Sequence, residues 1–323
     1  MRNEDVDIKN EVLNAERRIR GYVRVTPIEY SHYLSSLGSA KVYLKLENLQ
    51  ITGSFKIRGV MNKLLSMSRE ELSKGVVTAS TGNHGVAFAY AVGRLDLKGI
   101  VFLPKGVSKA KVEDILAYDV KVVFYGNDCL EAELYAKKYA EHYGMTYISP
   151  YNDIKVIAGQ GTIGIELMNQ LSDLDVVLVP VGGGGLISGI AGFLKSIRRD
   201  IKVIGCQPLN SPVMYESIKA GRIVSIKVKP TIADAVAGGI EPDAISFELC
   251  KKYVDDFILL TEDEIKEAIK LMLSKHHILI EGAAALPIAA YVKAKDAFRN
   301  KKVVLIVTGR RIELEHLKDI LCR

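Results

Sequence analysis

The chain of 323 residues has no tryptophan and four cysteines, Cys129, Cys206, Cys250 and Cys322. They are scattered and form no C-x-x-C pair, so neither a zinc site nor a disulfide framework is indicated, and a reducing compartment is expected. A one-sided charge is also missing. Lys and Arg total 44 against 38 Asp and Glu, a formal +6, and the signs interleave in SREELSKG and TEDEIKEAIK. Interleaved charge describes solvated helix faces and argues against a nucleic-acid partner. Long membrane-type runs are absent too. The uncharged window from Val176 to Leu194 holds Pro180 and six glycines, four of them consecutive. A strand, a turn and a helix explain it better than a spanning segment. The opening MRNEDVDIKNEV is polar, with no apolar core for a leader, so a cytoplasmic protein without a membrane partner is expected.

What is present is a 48% hydrophobic chain, enough for one large or two intermediate cores. β-branched runs alternate with helical spacing. Strands are predicted at Val42–Leu46, Gly75–Ala79, Gly99–Leu103, Lys121–Phe124, Thr146–Ser149, Val176–Val181, Lys202–Cys206, Phe257–Leu260 and Val303–Val307. Helical periodicity covers Lys109–Tyr118, Cys129–Tyr143, Ile154–Gln170, Leu186–Arg198 and Glu262–Lys275. Short apolar strands joined by helices imply an α/β fold with mostly parallel sheets covered on both faces. Four strand–helix units between about Lys74 and Ser149 suffice for a small sheet of their own.

Three stretches carry chemistry. In VVLVPVGGGGLISGIAGFL a buried strand runs into Gly182, Gly183, Gly184 and Gly185, and a helix begins near Leu186. Glycines permit close backbone approach, and amides at a helix start suit an anion such as phosphate. A plain tight turn is the alternative. No G-x-G-x-x-G or G-K-[ST] spacing is present, which excludes the dinucleotide and P-loop codes. TASTGNHGVAFAYA is a second strand–turn–helix, whose Ser80, Thr81 and Asn83 form either a carboxylate pocket or a helix cap. In ITGSFKIRG, Lys56 stands between Phe55 and Ile57. It is either a surface lysine or a nucleophile whose amine is neutralised by those apolar neighbours, with Arg58 and a helix start near Ser54 as further causes.

Together, a lysine nucleophile, a phosphate cradle and a carboxylate pocket describe pyridoxal phosphate chemistry on amino acids. SFKIRG, STGNHG, VIAGQGT and VPVGGGGL, followed by TIADAVAGG, ILIEGAAA and VTGRRIEL, resemble the serine/threonine dehydratase and serine racemase family of fold-type-II pyridoxal phosphate enzymes, nearest the short catabolic threonine dehydratases. The likeness spans almost the whole chain. It implies two open twisted sheets, a large cofactor domain from residues 1–66 and 150–323, and a small domain from 67–149 that closes over the substrate. A homodimer is the family expectation.

By the same resemblance Lys56 forms the Schiff base with pyridoxal 5'-phosphate and Phe55 packs against it. Asn83 bonds the ring's 3-oxygen, and Gly182, Gly183, Gly184, Gly185 and Leu186 hold the phosphate. Glu281 lies near the ring, and Thr308 faces the pyridine nitrogen. Ser80, Thr81 and the amides of Gly82, Asn83 and His84 receive the substrate carboxylate. The implied activity is deamination of L-threonine or L-serine by β-elimination.

Departures keep alternatives open. Thr81 occupies the place of the racemases' second base, so serine or aspartate racemisation remains open, whereas Tyr151 matches an aromatic of the dehydratases. Gln207 and Val213 replace carboxylates of the family's divalent-metal site, so no metal is expected there. Arg310 and Arg311 follow Thr308-Gly309 where the family has glycine and asparagine. They point to solvent, pair with an acid, or accept an acidic substrate such as 3-hydroxyaspartate. A catalytically silent ligand-binding protein is the reading from another class. The chain stops one helix after Val307, so a regulatory extension is not expected.

Overall fold

A computed structural model describes residues 6–322, so the start of the stretch read for a leader lies outside the described residues. Among the described residues ten strands occur: β1 (Ile28–Tyr30), β2 (Lys41–Lys45), β3 (Val76–Ala79), β4 (Gly99–Leu103), β5 (Lys121–Phe124), β6 (Thr146–Tyr147), β7 (Val176–Pro180), β8 (Lys202–Pro208), β9 (Asp256–Leu260) and β10 (Lys302–Ile306). They form a six-stranded sheet, ordered β1-β2-β10-β7-β8-β9, and a four-stranded sheet, ordered β5-β4-β3-β6. All pairings are parallel except β1 with β2.

Alternating side chains explain how one sheet feeds two cores. Val303 and Leu305 of β10 join the core with Leu44 and Leu178, while Val304 and Ile306 join the core with Val177 and Val179. Helices Ile154–Gln170 and Gly185–Ile197 cover the second face. Helix Lys56–Ser66 lies against Ile154–Gln170 so closely that a Cβ on Gly159 would come within 2.5 Å of the Arg58 carbonyl oxygen. The VIAGQGT stretch thus brings two helices together.

Two connections set the site. The loop before Lys56 is stitched to the chain leaving β10: the Phe55 amide donates to the Thr308 carbonyl (3.1 Å), and the Arg310 amide to the Gly53 carbonyl (3.2 Å). Because β10 neighbours β7, Thr308 and the glycines beyond Pro180 emerge side by side at strand carboxyl ends. In the smaller sheet β3 neighbours β6, which juxtaposes the turn after Ala79 with Pro150 and Tyr151. Open α/β sheets bind ligands at such crevices.

Candidate active site

The glycine turn is built for close approach. Gly184 adopts φ +86, and a Cβ on Gly183 would lie 2.5 Å from the Tyr151 ring. Tyr151 therefore walls the turn, and its hydroxyl accepts a hydrogen bond from the Glu241 amide at 3.0 Å. Helix Gly185–Ile197 starts within the turn, and the amides of Gly182 to Leu186 have no acceptor among the described residues. Five donors at the positive end of a helix dipole make an anion cradle.

Lys56 is the first residue of helix Lys56–Ser66, with Phe55 as its cap, so the helix starts two residues later than the sequence predicts. Its amine donates to the Pro150 carbonyl at 3.0 Å and lies 5.2 Å from the centre of the Phe55 ring. Burial lowers its pKa from 10.5 to about 8, against the opposing pull of the Glu281 carboxylate. Two expected causes are corrected. Ile57 points into the core beneath the smaller sheet. Arg58 turns away into a buried ion group with Glu47 and Glu166, and its charge is spent there.

Across the cleft, helix Asn83–Arg94 follows the Ser80–Gly82 turn. The Asn83 amide nitrogen donates to both Glu281 oxygens at 2.9 Å, and the Arg311 backbone amide donates to one of them at 3.1 Å. Burial raises the Glu281 carboxyl to about 7. The Oδ1 of Asn83 and the Oγ1 of Thr308 are buried with no partner among the described residues. His84 donates from Nε2 to the Ile148 carbonyl at 3.0 Å, and burial pushes its pKa down to about 3. The ring therefore stays neutral and ties the turn to the sheet.

Every residue that the sequence assigns to the site lines one cleft of about 1380 Å³. The two arginines part company there. Arg310 is exposed at its rim, whereas Arg311 pairs with Asp114 and donates to the Thr52 carbonyl at 3.3 Å. Gln207 accepts from the Tyr215 amide at 2.8 Å and donates to the Val181 carbonyl at 3.1 Å, and Val213 is buried. Among the described residues no group of three or more His, Cys, Asp or Glu is placed to hold a metal ion. The Pro150 carbonyl and the Asn83–Glu281 pair escaped sequence reasoning, because the partners lie 94 and 198 residues apart and no local pattern marks them.

A family model described as "Pyridoxal-phosphate dependent enzyme" matches residues 19–309. The chain is 40% identical over 311 residues to the L-threonine ammonia-lyase of Thermotoga maritima, covering 96% of this chain and 77% of that one. It is 39% identical over 313 residues to the catabolic L-threonine dehydratase TdcB of Escherichia coli, covering 96% and 95%. Among solved structures, maize serine racemase superposes with a TM-score of 0.91 at 30% identity, covering 97% of this chain and 96% of that one. The fold is that of the fold-type-II enzymes, as the motifs imply. With nine-tenths of its length matched by the family model and by such relatives, this chain belongs to the pyridoxal-phosphate dependent enzyme family.

Proposed function

We propose that the chain deaminates L-threonine and L-serine by β-elimination, releasing 2-oxobutyrate or pyruvate and ammonia. One observation carries this reading: the part-buried Lys56 amine, at about 8, shares a cleft with uncommitted amides on one side and a hydroxyl-bearing turn on the other. The names of the Thermotoga and Escherichia relatives support the same reaction.

The residues fit pyridoxal phosphate. Five free amides match a phosphate, and the partnerless Thr308 Oγ1 and Asn83 Oδ1 match the polar edge of a pyridine ring. Gly182 to Leu186 would hold the phosphate, Phe55, Asn83, Glu281 and Thr308 the ring, and Lys56 the aldehyde carbon. The cofactor supplies a sink for the electrons left on the substrate's α-carbon. Lys56 Nζ removes the α-proton, a task suited to an amine that is about half neutral near pH 8, where an ordinary lysine is almost wholly protonated. Ser80, Thr81 and the amides of Gly82 to His84 orient the substrate carboxylate, and Tyr151 bounds the pocket. Thr308 would offer the ring nitrogen a neutral hydroxyl and no carboxylate, so the electron sink the cofactor supplies would be weaker, which suits elimination of the β-hydroxyl.

Residues 67–149 form the small domain that closes over the substrate. Ion pairs support this reading by joining its helices to the rest of the chain, Lys111 to Asp234 and Glu313, Lys137 to Glu241 and Asp114 to Arg311. A cytoplasmic homodimer without nucleic acid completes the reading, and analytical ultracentrifugation tests its assembly. A second reading, racemisation, has one feature in its favour: Thr81 lines the same cleft as Lys56, and its hydroxyl has no hydrogen-bond partner among the described residues.

The test is L-threonine added to pure protein, with Lys56→Ala as control. Release of 2-oxobutyrate that vanishes in the variant supports elimination. Conversion to the D-enantiomer without 2-oxo acid supports racemisation. Neither product, with no change in absorbance, marks a silent binder.

A further inference from the structure

A run of four glycines has little intrinsic reason to turn its amides toward a ligand, since either edge of each peptide can face the cleft at small steric cost. In this turn the choice is made from behind. The Ser246 hydroxyl donates to the Gly183 carbonyl at 2.5 Å and the Gln207 amide to the Val181 carbonyl at 3.1 Å, while the Gly184 carbonyl accepts from the Ser188 amide at 3.0 Å with the Cys250 sulfur 3.8 Å away. Burial pushes the Cys250 thiol up to about 12, so it keeps its proton, which lies between the Ser188 hydroxyl at 3.3 Å and the Gly184 carbonyl. Ser188 completes the layer by donating to the Ser246 carbonyl at 3.1 Å. All four side chains are at most 1% exposed.

A peptide carries its carbonyl and its N–H on opposite edges. Pinning the carbonyls of Val181, Gly183 and Gly184 to the rear sends the N–H groups of Gly182, Gly184 and Gly185 forward, and these amides lack acceptors among the described residues. We propose that Ser246, with Cys250 and Gln207 beside it, is a positioning residue that sets the polarity of the glycine turn and thereby its affinity for the cofactor's phosphate. This rests on the reading of the turn as the phosphate site. Ser246 touches no ligand in this account. It acts through the peptide that does.

The test separates phosphate recognition from general packing. Full-length protein is resolved of cofactor and titrated by absorbance with pyridoxal 5'-phosphate and with pyridoxal, which lacks the phosphate. Ser246→Ala is expected to weaken the phosphorylated ligand about ten-fold, as loss of one orienting hydrogen bond implies, and to leave pyridoxal unchanged. Equal weakening of both ligands, or of neither, overturns the proposal. Wild-type protein that binds both ligands equally overturns the phosphate reading of the turn itself, and with it the role of Ser246. Should Ser246→Ala not fold, Ser246→Cys retains a weaker donor of similar shape. Its expected result is a smaller loss confined to the phosphorylated ligand, and a loss shared by pyridoxal refutes the idea equally well.

Discussion

Replacing Arg58 by methionine removes one cation from a buried ion group that lies two residues beyond Lys56 on the same helix. Arg58 donates to Glu47 at 2.8 Å from both Nε and Nη2, and to Glu166 at 2.7 and 2.9 Å. Lys45 donates to Glu166 at 2.6 Å, and Arg58 and Lys45 are each fully buried. Two cations therefore balance two carboxylates, with the part-exposed Arg20 at the margin. Methionine fills much of the volume but leaves a buried carboxylate unmatched. Breaking such a pair costs about 3–5 kcal/mol, a fall in Tm of about 4–7 °C by thermal denaturation for a chain of 323 residues. The double variant Arg58→Met with Glu47→Gln restores charge balance and should recover part of that loss. The pH dependence supplies the sign. The Arg58 guanidinium and the Lys45 ammonium hold the Glu166 carboxyl well below its ordinary 4.5. Its stabilising contribution is therefore full above 4.5 and is lost as the pH falls below that value. The gap in Tm between wild type and Arg58→Met should narrow on acidification from pH 6 toward pH 3. A single variant losing under about 1 kcal/mol, or a gap constant with pH, refutes the reading of Arg58, Lys45, Glu47 and Glu166 as a charge-balanced buried group.

Three further outcomes follow from the site. In chain freed of cofactor, the rate at which added pyridoxal phosphate turns yellow should rise with the neutral fraction of Lys56, with its midpoint near pH 8, and a midpoint near 10.5 would contradict its desolvation. Glu281 faces Asp234, Arg311 and Lys56, and burial raises it to about 7, so its native carboxyl keeps its proton where the unfolded one has lost it. Its share of stability is present below 4.5 and lost as the pH rises through about 7, so Glu281→Gln should gain Tm relative to wild type between pH 5 and 8, and a flat difference would count against it. Arg310 is exposed at the rim, so Arg310→Gly should preserve the order of rates on threonine, serine and 3-hydroxyaspartate, and selective loss of the acidic substrate would assign it a binding role.

Much of the architecture was legible because strands and helices are local. Gly99–Leu103, Lys121–Phe124, Cys129–Tyr143 and Ile154–Gln170 have the bounds that periodicity predicts. Strand β1 was not foreseen: three residues of mostly exposed pattern, held antiparallel at a sheet edge, carry no period to detect. The predicted helix Glu262–Lys275 is α-helical to Leu271 and then widens to a π-turn over Met272–His276. The glycines, Lys56 and the Ser80–Asn83 turn announced themselves by composition. The environment of Lys56 did not, since whether Ile57 and Arg58 flank the amine or turn from it depends on the direction of helical side chains relative to two different cores.

By itself the sequence determined the α/β alternation, a four-glycine turn between a strand and a helix, and a lysine set between apolar residues near a helix start, because each is written in residue types within one turn or strand. Only the tertiary structure decided that Asn83 meets Glu281, that Arg311 reaches Asp114 while Arg310 stays at the rim, and that Ser246 stands behind Gly183. Those pairs are separated by dozens to nearly two hundred residues, and their meeting follows from strand order and helix packing, which no local pattern encodes.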